Sequence, residues 1–221
     1  MTGAPELPDR WLLHRSHDLL VVDKPAGLLC QPGLGAHQSD SLISRVQQQW
    51  PTAQLVHRLD RDTSGLILVA LCAELHRALS RLFADRAVQK RYLADVRGVP
   101  SAPQGWIAHP LAKRQHQPPL YGVDPAGKPC STHWRVLEAR GQHSRLELRP
   151  ITGRSHQLRV HLQALGHPIL GDPLYGAAHG GAIADPAPQR MHLHAAGLRL
   201  IHPLRQEPLE LLSAAPFSLP A

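Results

Sequence analysis

The chain has 221 residues, of which 43% are hydrophobic and 19% charged, so the composition excludes a disordered or fibrous protein and permits a buried core. Its 24 Lys and Arg outnumber its 17 Asp and Glu, and the formal net charge of +7 favours an anionic partner such as nucleic acid. No apolar run reaches the roughly 18 residues that a membrane-spanning helix needs. We therefore expect no membrane association.

The cysteines argue for a reducing compartment. Cys30, Cys72 and Cys130 are odd in number and far apart, so no disulfide framework and no Cys-x-x-Cys metal site is available. Residues 1–6 show neither the basic region nor the apolar region of a secretion signal. These features together predict a cytoplasmic protein.

The first half of the chain is predicted to alternate short strands with two helices. Leu75, Ala78, Leu79, Leu82 and Phe83 have helical spacing and indicate an amphipathic helix. The predicted elements are, in order, a polar arm at 1–17, a strand at 19–22, a helix from Asp40 or Ser41 to Trp50, strands at 55–59 and 66–71, and a helix over 75–83.

The second half is predicted to be richer in strands. The predicted elements are a strand at 88–96, a Pro-rich loop with short strands over 99–129, antiparallel strands at 132–137 and 145–148, a helix over 154–165, a mobile Gly, Ala and Pro segment at 176–190, and strands at 193–201 and 209–212. No repeat and no linker is evident. We therefore predict a single domain over residues 18–221.

A cluster of charges precedes the strand predicted at 66–71. The run from His57 to Gly65 reads His-Arg-Leu-Asp-Arg-Asp-Thr-Ser-Gly and places a His, two Arg and two Asp at the mouth of the core. Reactive groups with perturbed pKa values are often found in such positions. Asp60 and Asp62 share one turn, and composition alone does not choose between them.

A second polar cluster lies on the helix predicted over 154–165. Leu158, Leu162 and Leu165 share one face, while His156, Arg159 and Gln163 share another. The polar face either presents a guanidinium to a cleft or is an ordinary solvated side of the helix, and the spacing leaves both open. Farther upstream, Lys90-Arg91-Tyr92 lies in a predicted strand, where a Tyr is more often a core residue than a ligand contact.

These segments together resemble the RluA-type RNA pseudouridine synthases. The family patterns His-Arg-Leu-Asp-x-x-Thr-Ser-Gly, Gly-Arg-x-His-Gln-hydrophobic-Arg-x-His, Lys-x-Tyr and Lys-Pro-x-Gly are all matched, the last by Lys24-Pro25-Ala26-Gly27. The resemblance spans about residues 18–215. In its short length the chain is most similar to the members with dual specificity for tRNA and 23S rRNA, and we expect no S4-like RNA-binding domain.

The resemblance implies an α+β fold, with a mixed, mostly antiparallel sheet around a central cleft and helices at its periphery. It implies Asp60 as the nucleophile, Arg159 as its ion-pair partner and Tyr92 as the residue that stacks on the target uracil. Lys24-Pro25-Ala26-Gly27 would pack under the catalytic loop. The residues implied to contact RNA are His57, Arg58, Lys90, Arg154, His156 and Gln157.

The implied reaction turns a uridine of a tRNA anticodon stem-loop or of 23S rRNA into pseudouridine after base flipping. Because it is an isomerisation, we expect no cofactor and no metal. We also expect a monomer with structured RNA as its partner and no obligate protein partner.

Two other functions fit parts of the sequence. The count of 16 His is high enough to suggest a metal-dependent hydrolase. However, His156 and His161 are five residues apart, so they do not share a helix face as a pair of metal ligands would. The other rival is a basic RNA-binding module without catalysis, which has no need for a half-buried Asp beside Arg. Mass spectrometry of treated RNA would separate a synthase from a binding module.

Overall fold

A computed structural model describes residues 5–33, 38–116, 119–176 and 189–220, and these residues adopt an α+β fold. The helices among them are α1 (Leu42–Gln49), α2 (Ala73–Ala84) and α3 (Gln157–Ala164). The strands among them are β1 (Leu12–Arg15), β2 (Leu19–Lys24), β3 (Gln54–Leu55), β4 (Ser64–Ala70), β5 (Gln89–Arg97), β6 (Gln104–Ile107), β7 (Leu111–Gln115), β8 (Leu120–Val123), β9 (Thr132–Arg140), β10 (His143–Pro150), β11 (Leu193–Ile201) and β12 (Pro208–Leu212). The predicted mobile segment at 176–190 lies largely outside the described residues.

The described fold divides into two compact units. The first unit consists of Met1–Gln89 and Ala195–Ala214, and the second of Lys90–His194 and Ala215–Ala221. The chain passes from the first unit to the second within β5 and back within β11, and its last residues belong to the second unit again. Since the crossings in β5 and β11 lie inside strands, no linker marks them in the sequence, and the division could not be seen there.

The first unit is a sheet with α2 on one face. Its strand order is β1-β2-β4-β11, while β3 pairs with β4 and β12 with β11. Leu75 and Leu79 of α2 pack with buried residues of β2, β4 and β11 such as Leu66 and Leu198. The predicted polar arm requires a correction, because Leu12–Arg15 forms β1 and pairs antiparallel with β2.

The second unit has the strand order β5-β10-β9-β6, in which each neighbouring pair is antiparallel. Strands β7 and β8 form a separate two-stranded sheet. Leu158 and Leu162 of α3 pack on one face of the larger sheet, against residues that include Ala94, Leu146 and Leu148. That apolar face of α3 is the one that the sequence predicted.

Most of the remaining elements agree with the sequence prediction to within a few residues. The Ser41 hydroxyl accepts a hydrogen bond from the Ser44 amide, and the Ser44 side chain bonds back to the Ser41 amide, so a capping box begins α1 as expected of a capped helix. No helix in the described ranges is long and apolar enough to cross a membrane.

Two elements are shorter than predicted. The strand predicted at 55–59 ends at Leu55, because the Leu68 amide donates to Nε2 of His57 (3.0 Å) instead of continuing the ladder. The helix predicted from 154 starts at Gln157, since the residue before it, His156, has the left-handed φ of 56°. In both places a histidine ends or delays regular structure.

Candidate active site

The loop that carries Asp60 is held by a buried lysine at the end of β2. Lys24 is fully buried, and its Nζ donates to the carbonyl oxygens of Pro25 (2.8 Å), Leu28 (2.8 Å) and Arg61 (3.0 Å). The amide of Gly27 also donates to the Arg61 carbonyl (2.9 Å). These bonds confirm that the Lys-Pro-x-Gly segment packs under the Asp60 loop, and they tie that loop to the core.

A buried cysteine fixes the other side of the same loop. Cys30 Sγ lies 3.2 Å from both the amide and the carbonyl of Leu59, the residue before Asp60. Burial raises the pKa of the Cys30 thiol, although the Leu59 hydrogen bond and the charge of Lys24 oppose that shift. The thiol therefore stays protonated, and its role is to anchor the loop.

Asp60 and Asp62 have different surroundings although they share one turn. Asp60 is half-buried, and its carbonyl accepts a hydrogen bond from the Thr63 amide (3.2 Å). The Asp62 carboxylate lies 3.1 Å from Nε of Arg61, the exposed residue between the two aspartates.

Gly65 has a φ of +114°, and a Cβ there would overlap the backbone of Ala195. Only glycine therefore fits where the loop enters β4.

The neighbouring residues His57 and Arg58 have different surroundings. The His57 ring accepts the Leu68 amide and stacks on Phe83 at a centroid distance of 4.5 Å. These contacts fix the His57 ring within the first unit, and its RNA contact stays a prediction. The next residue, Arg58, is exposed, and its contact with RNA also stays a prediction.

In the second unit, Arg159 is buried and paired. Its Nε and Nη2 lie 2.7 and 2.8 Å from the two carboxylate oxygens of Asp172, and the two side chains are 3% and 0% exposed. Oδ1 of Asp172 also accepts the amides of Leu174 (2.9 Å) and Tyr175 (3.0 Å), so a tight turn fixes the carboxylate. A solvated polar face on α3, one of the two alternatives from the sequence, is thereby excluded at Arg159.

Asp172 is the residue of this site that sequence reasoning missed. It lies in the run Gly-Asp-Pro-Leu-Tyr-Gly at 171–176, whose composition is that of an ordinary turn. A buried guanidinium needs a counter-charge, and an Asp in a turn after the helix was the available signal.

Two further predicted RNA contacts, Gln157 and His156, are engaged within the protein. The side-chain amide of Gln157 is buried. Its Oε1 accepts hydrogen bonds from the Thr152 hydroxyl (2.8 Å) and the Arg154 backbone amide (3.0 Å), and its Nε2 donates to the Ser131 carbonyl (3.0 Å). Nδ1 of His156 lies 2.7 Å from the Tyr175 hydroxyl. These hydrogen bonds hold both residues at the start of α3, and their RNA contacts stay predictions.

The other predicted residues of the second unit are more accessible. Tyr92 is half-buried at the margin of the core under α3, and Lys90 Nζ donates to the Thr152 carbonyl (3.2 Å). Arg154 is exposed, with Nε 3.4 Å from the Pro129 carbonyl. The candidate residues are thus divided between the units, and the pairing of Asp60 with Arg159 stays a prediction.

Residues 18–164 match the family model described as RNA pseudouridylate synthase. The chain belongs to this family. It is 43% identical over 206 residues to the dual-specificity RNA pseudouridine synthase RluA of Escherichia coli K12, covering 91% of each chain, and 41% identical over 211 residues to RluA of Yersinia pestis, covering 93% of this chain and 99% of that one.

Solved structures agree with the family assignment. Human RNA pseudouridylate synthase domain containing 1 superposes with a TM-score of 0.77 and 33% identity, covering 94% of this chain and 84% of that one. Human RNA pseudouridylate synthase domain containing 4 gives 0.75 and 27%, with coverages of 94% and 89%. The protein is therefore an RNA pseudouridine synthase, an isomerase whose partner is RNA, and the hydrolase and non-catalytic rivals are set aside.

Proposed function

We propose that this pseudouridine synthase modifies a uridine in a stem-loop of tRNA, at the anticodon loop, and a uridine of 23S rRNA, with Asp60 as nucleophile. The relatives at 41–43% identity are named dual-specificity enzymes, which supports more than one RNA substrate. The observation that carries the role of Asp60 is its loop, which Lys24 and Cys30 fix to the core while Asp62 is committed to Arg61.

The proposed chemistry requires an ionised carboxylate and a base taken out of its stack. Flipping a nucleotide costs a few kcal/mol, and a single-stranded loop lowers that cost. The N1–C1′ bond of the uridine then breaks, a C5–C1′ bond forms, and the C5 proton leaves as N1 gains one. The net change is an isomerisation, so the proposal includes no metal, nucleotide or other cofactor.

Arg159 is proposed as the cation that orients Asp60. A guanidinium carries five N–H donors, and Asp172 engages two atoms on one of its edges, so one guanidinium can serve two carboxylates. A nearby cation favours the ionised form of a carboxylate. Tyr92 is proposed to stack on the uracil, and Arg58, Lys90 and Arg154 to contact the RNA backbone.

The cellular setting is proposed from the same features. The three cysteines are free, which supports a reducing compartment, and we propose that the enzyme works in the cytoplasm as a monomer. Light scattering of the purified protein at several concentrations tests the oligomeric state, and a mass twice that of the chain would contradict it.

The decisive experiment compares Asp60→Asn with Asp62→Asn. Asp60→Asn should abolish tritium release from RNA that contains 5-tritiated uridine, because the amide is not a nucleophile, while RNA affinity and melting temperature stay near wild type. Asp62→Asn should retain substantial activity, since it removes only an exposed pairing with Arg61. Near-normal turnover by Asp60→Asn would overturn the proposed mechanism.

A further inference from the structure

One face of the larger sheet in the second unit carries arginines that converge on a single carboxylate. Glu147 of β10 is buried, and its oxygens lie 2.7 Å from Nε of Arg91, 3.3 Å from Nη2 of Arg135 and 2.9 Å from Nη2 of Arg149. The side chains of Arg91, Arg135 and Arg149 are 39%, 50% and 57% exposed. Three cations meet one anion, so a net positive charge of two faces the solvent.

An exposed tryptophan continues this face to the edge of the sheet. Trp106 of β6 is 62% exposed, although the chain has only 4 Trp, and its ring lies 5.0 Å from that of His133. In the register of the sheet Trp106 is opposite His133, which is opposite Arg149. Strands lie about 4.8 Å apart, so the Trp106 and Arg149 backbones are roughly 10 Å apart.

These residues form a surface distinct from the side of the sheet where Tyr92 lies. Successive strand residues point to opposite faces. Tyr92, Leu148 and Trp134 belong to the core under α3, whereas their neighbours Arg91, Glu147 and Arg135 lie on the other face. We call that set the outer patch; it comprises Arg91, Trp106, His133, Arg135, Glu147 and Arg149.

The neighbouring part of the same face is covered by the protein itself. Arg145 and Asp95 form a bidentate pair there, with distances of 2.7 and 2.9 Å. Phe217 lies over them: its carbonyl accepts from Arg145 (3.1 Å), and its ring stacks on His192 at 4.4 Å. This cluster is neutralised and covered by the chain's own C-terminal residues, whereas the outer patch keeps its excess charge exposed.

We propose that the outer patch binds an unpaired nucleotide of the RNA substrate outside the target loop, with its base on Trp106 and adjacent phosphates on Arg135 and Arg149. Guanidinium groups suit phosphate, and an aromatic face accepts any base. Glu147 holds the arginines in place, so less side-chain freedom is lost on binding. The proposal rests on the RNA-modifying activity of the family and adds a second contact with the same substrate.

The test measures RNA affinity and catalysis separately on the full chain. Trp106→Ala and the double variant Arg135→Ser/Arg149→Ser, which leaves Arg91 on Glu147, are compared with Arg140→Ser. Arg140 is a matched control, since its side chain is 54% exposed and pairs with Glu138 on the same strand. The probes are a ten-residue oligouridylate and an unmodified tRNA transcript that the wild-type enzyme converts.

Both patch variants should weaken binding of each probe about tenfold, the size expected for one stacked base. The single-turnover rate at saturating tRNA should stay within twofold of wild type. The double variant should also flatten the salt dependence by about 0.7 log units per log unit of salt for each phosphate that is no longer neutralised. Arg140→Ser should change none of these quantities.

Unchanged affinity in both patch variants, or an equal loss in Arg140→Ser, overturns the proposal. So does displacement of oligouridylate by polyglutamate together with normal binding by Trp106→Ala, because the patch would then suit an acidic protein segment. Failure of the proposed function looks different, since the wild-type enzyme itself would then form no pseudouridine in tRNA or 23S rRNA.

Discussion

Arg159 shows how a cation is kept inside the core of the second unit. Helical spacing predicted that Arg159 lies on a polar face of its helix. The spacing did not decide whether that face borders a cleft or bulk solvent. Bulk solvent is excluded, because the side chain is buried against Asp172, a residue 13 positions later in a separate turn. Spacing within one helix carries no information about a partner beyond that helix, so the helical pattern could not identify Asp172.

We expect Arg159→Ala to lower the free energy of unfolding by about 3–5 kcal/mol, because it leaves the Asp172 carboxylate buried without its cation. Urea unfolding measures this loss. The double variant Arg159→Met/Asp172→Asn should recover much of the stability, since neither charge is then buried alone, but it should remain inactive. Full activity in the double variant would contradict the proposed role of Arg159 in catalysis.

Arg58 is expected to act in turnover more than in ground-state binding. It is exposed beside Asp60, where a guanidinium can fill the space that a flipped base leaves. Arg58→Ala should therefore depress the single-turnover rate far more than RNA affinity. Lys113→Ala, in the exposed part of β7, should mainly weaken binding. If Arg58→Ala lowers only affinity, with normal turnover at saturation, Arg58 is an ordinary phosphate contact.

Among the elements, the sequence predicted the strands and helices that have clear periodicity, and it misplaced the bounds of two whose ends depend on a histidine. Strand β4 and helix α2 lie close to where the apolar pattern placed them. Strand β3 is shorter because His57 takes the Leu68 amide, and α3 starts late because His156 adopts a left-handed conformation. Neither histidine disturbs the periodic pattern of the sequence around it.

In the candidate site, too, the sequence predicted some features and not others. The motif selected Asp60, and the packing of Lys24-Pro25-Ala26-Gly27 under its loop was also predicted. The sequence could not show that the Gln157 side chain hydrogen-bonds to Thr152 and Ser131, because these partners lie outside the helix that carries Gln157. The motifs thus selected candidate segments, whereas the hydrogen-bond partners of each side chain became visible only in the fold.

Two glycines next to the Asp60 loop allow backbone strain to be separated from steric overlap. Gly27 (φ +86°) has open space where a Cβ would lie, whereas at Gly65 (φ +114°) a Cβ would meet the backbone of Ala195. Gly27→Ala should cost about 1–2 kcal/mol from its left-handed backbone alone. Gly65→Ala should cost more and reduce activity as its loop shifts. Equal melting temperatures for the two variants would contradict this assignment.

For the whole molecule, acid should destabilise the fold through buried histidines. Burial lowers the pKa of His161 and of His202 from 6.5, so the folded state binds their protons less readily than the unfolded chain. Their contribution to stability is therefore complete above about pH 6.5 and is lost as the pH falls through the lowered folded values. The carboxyl pKa values of Asp18, Asp95 and Glu147 are also lowered, so these groups titrate in more acidic solution.

Urea unfolding at pH 7.5, 6.5 and 5.5 tests this expectation. The free energy of unfolding should fall below pH 6.5, with a slope of at most about 1.4 kcal/mol per pH unit for each histidine. In the double variant His161→Gln/His202→Gln the slope over this range should be much smaller. A wild-type stability that is constant from pH 7.5 to 5.5 would show that these histidines are protonated in the fold as readily as in water.

The passage of the chain through both units has a consequence for how the protein is made. The sheet of the first unit needs β11 and β12, which follow the whole of Lys90–His194 in the sequence. At a synthesis rate of about 5–20 residues per second, roughly 5–20 s separate the emergence of β5 from that of β11. Throughout that interval Leu198 and Leu200 have not yet been synthesised. The apolar residues of β4 that pack against them in the folded protein therefore stay uncovered on that side. The N-terminal half is thus exposed to chaperones and proteases for as long as translation of the second unit lasts.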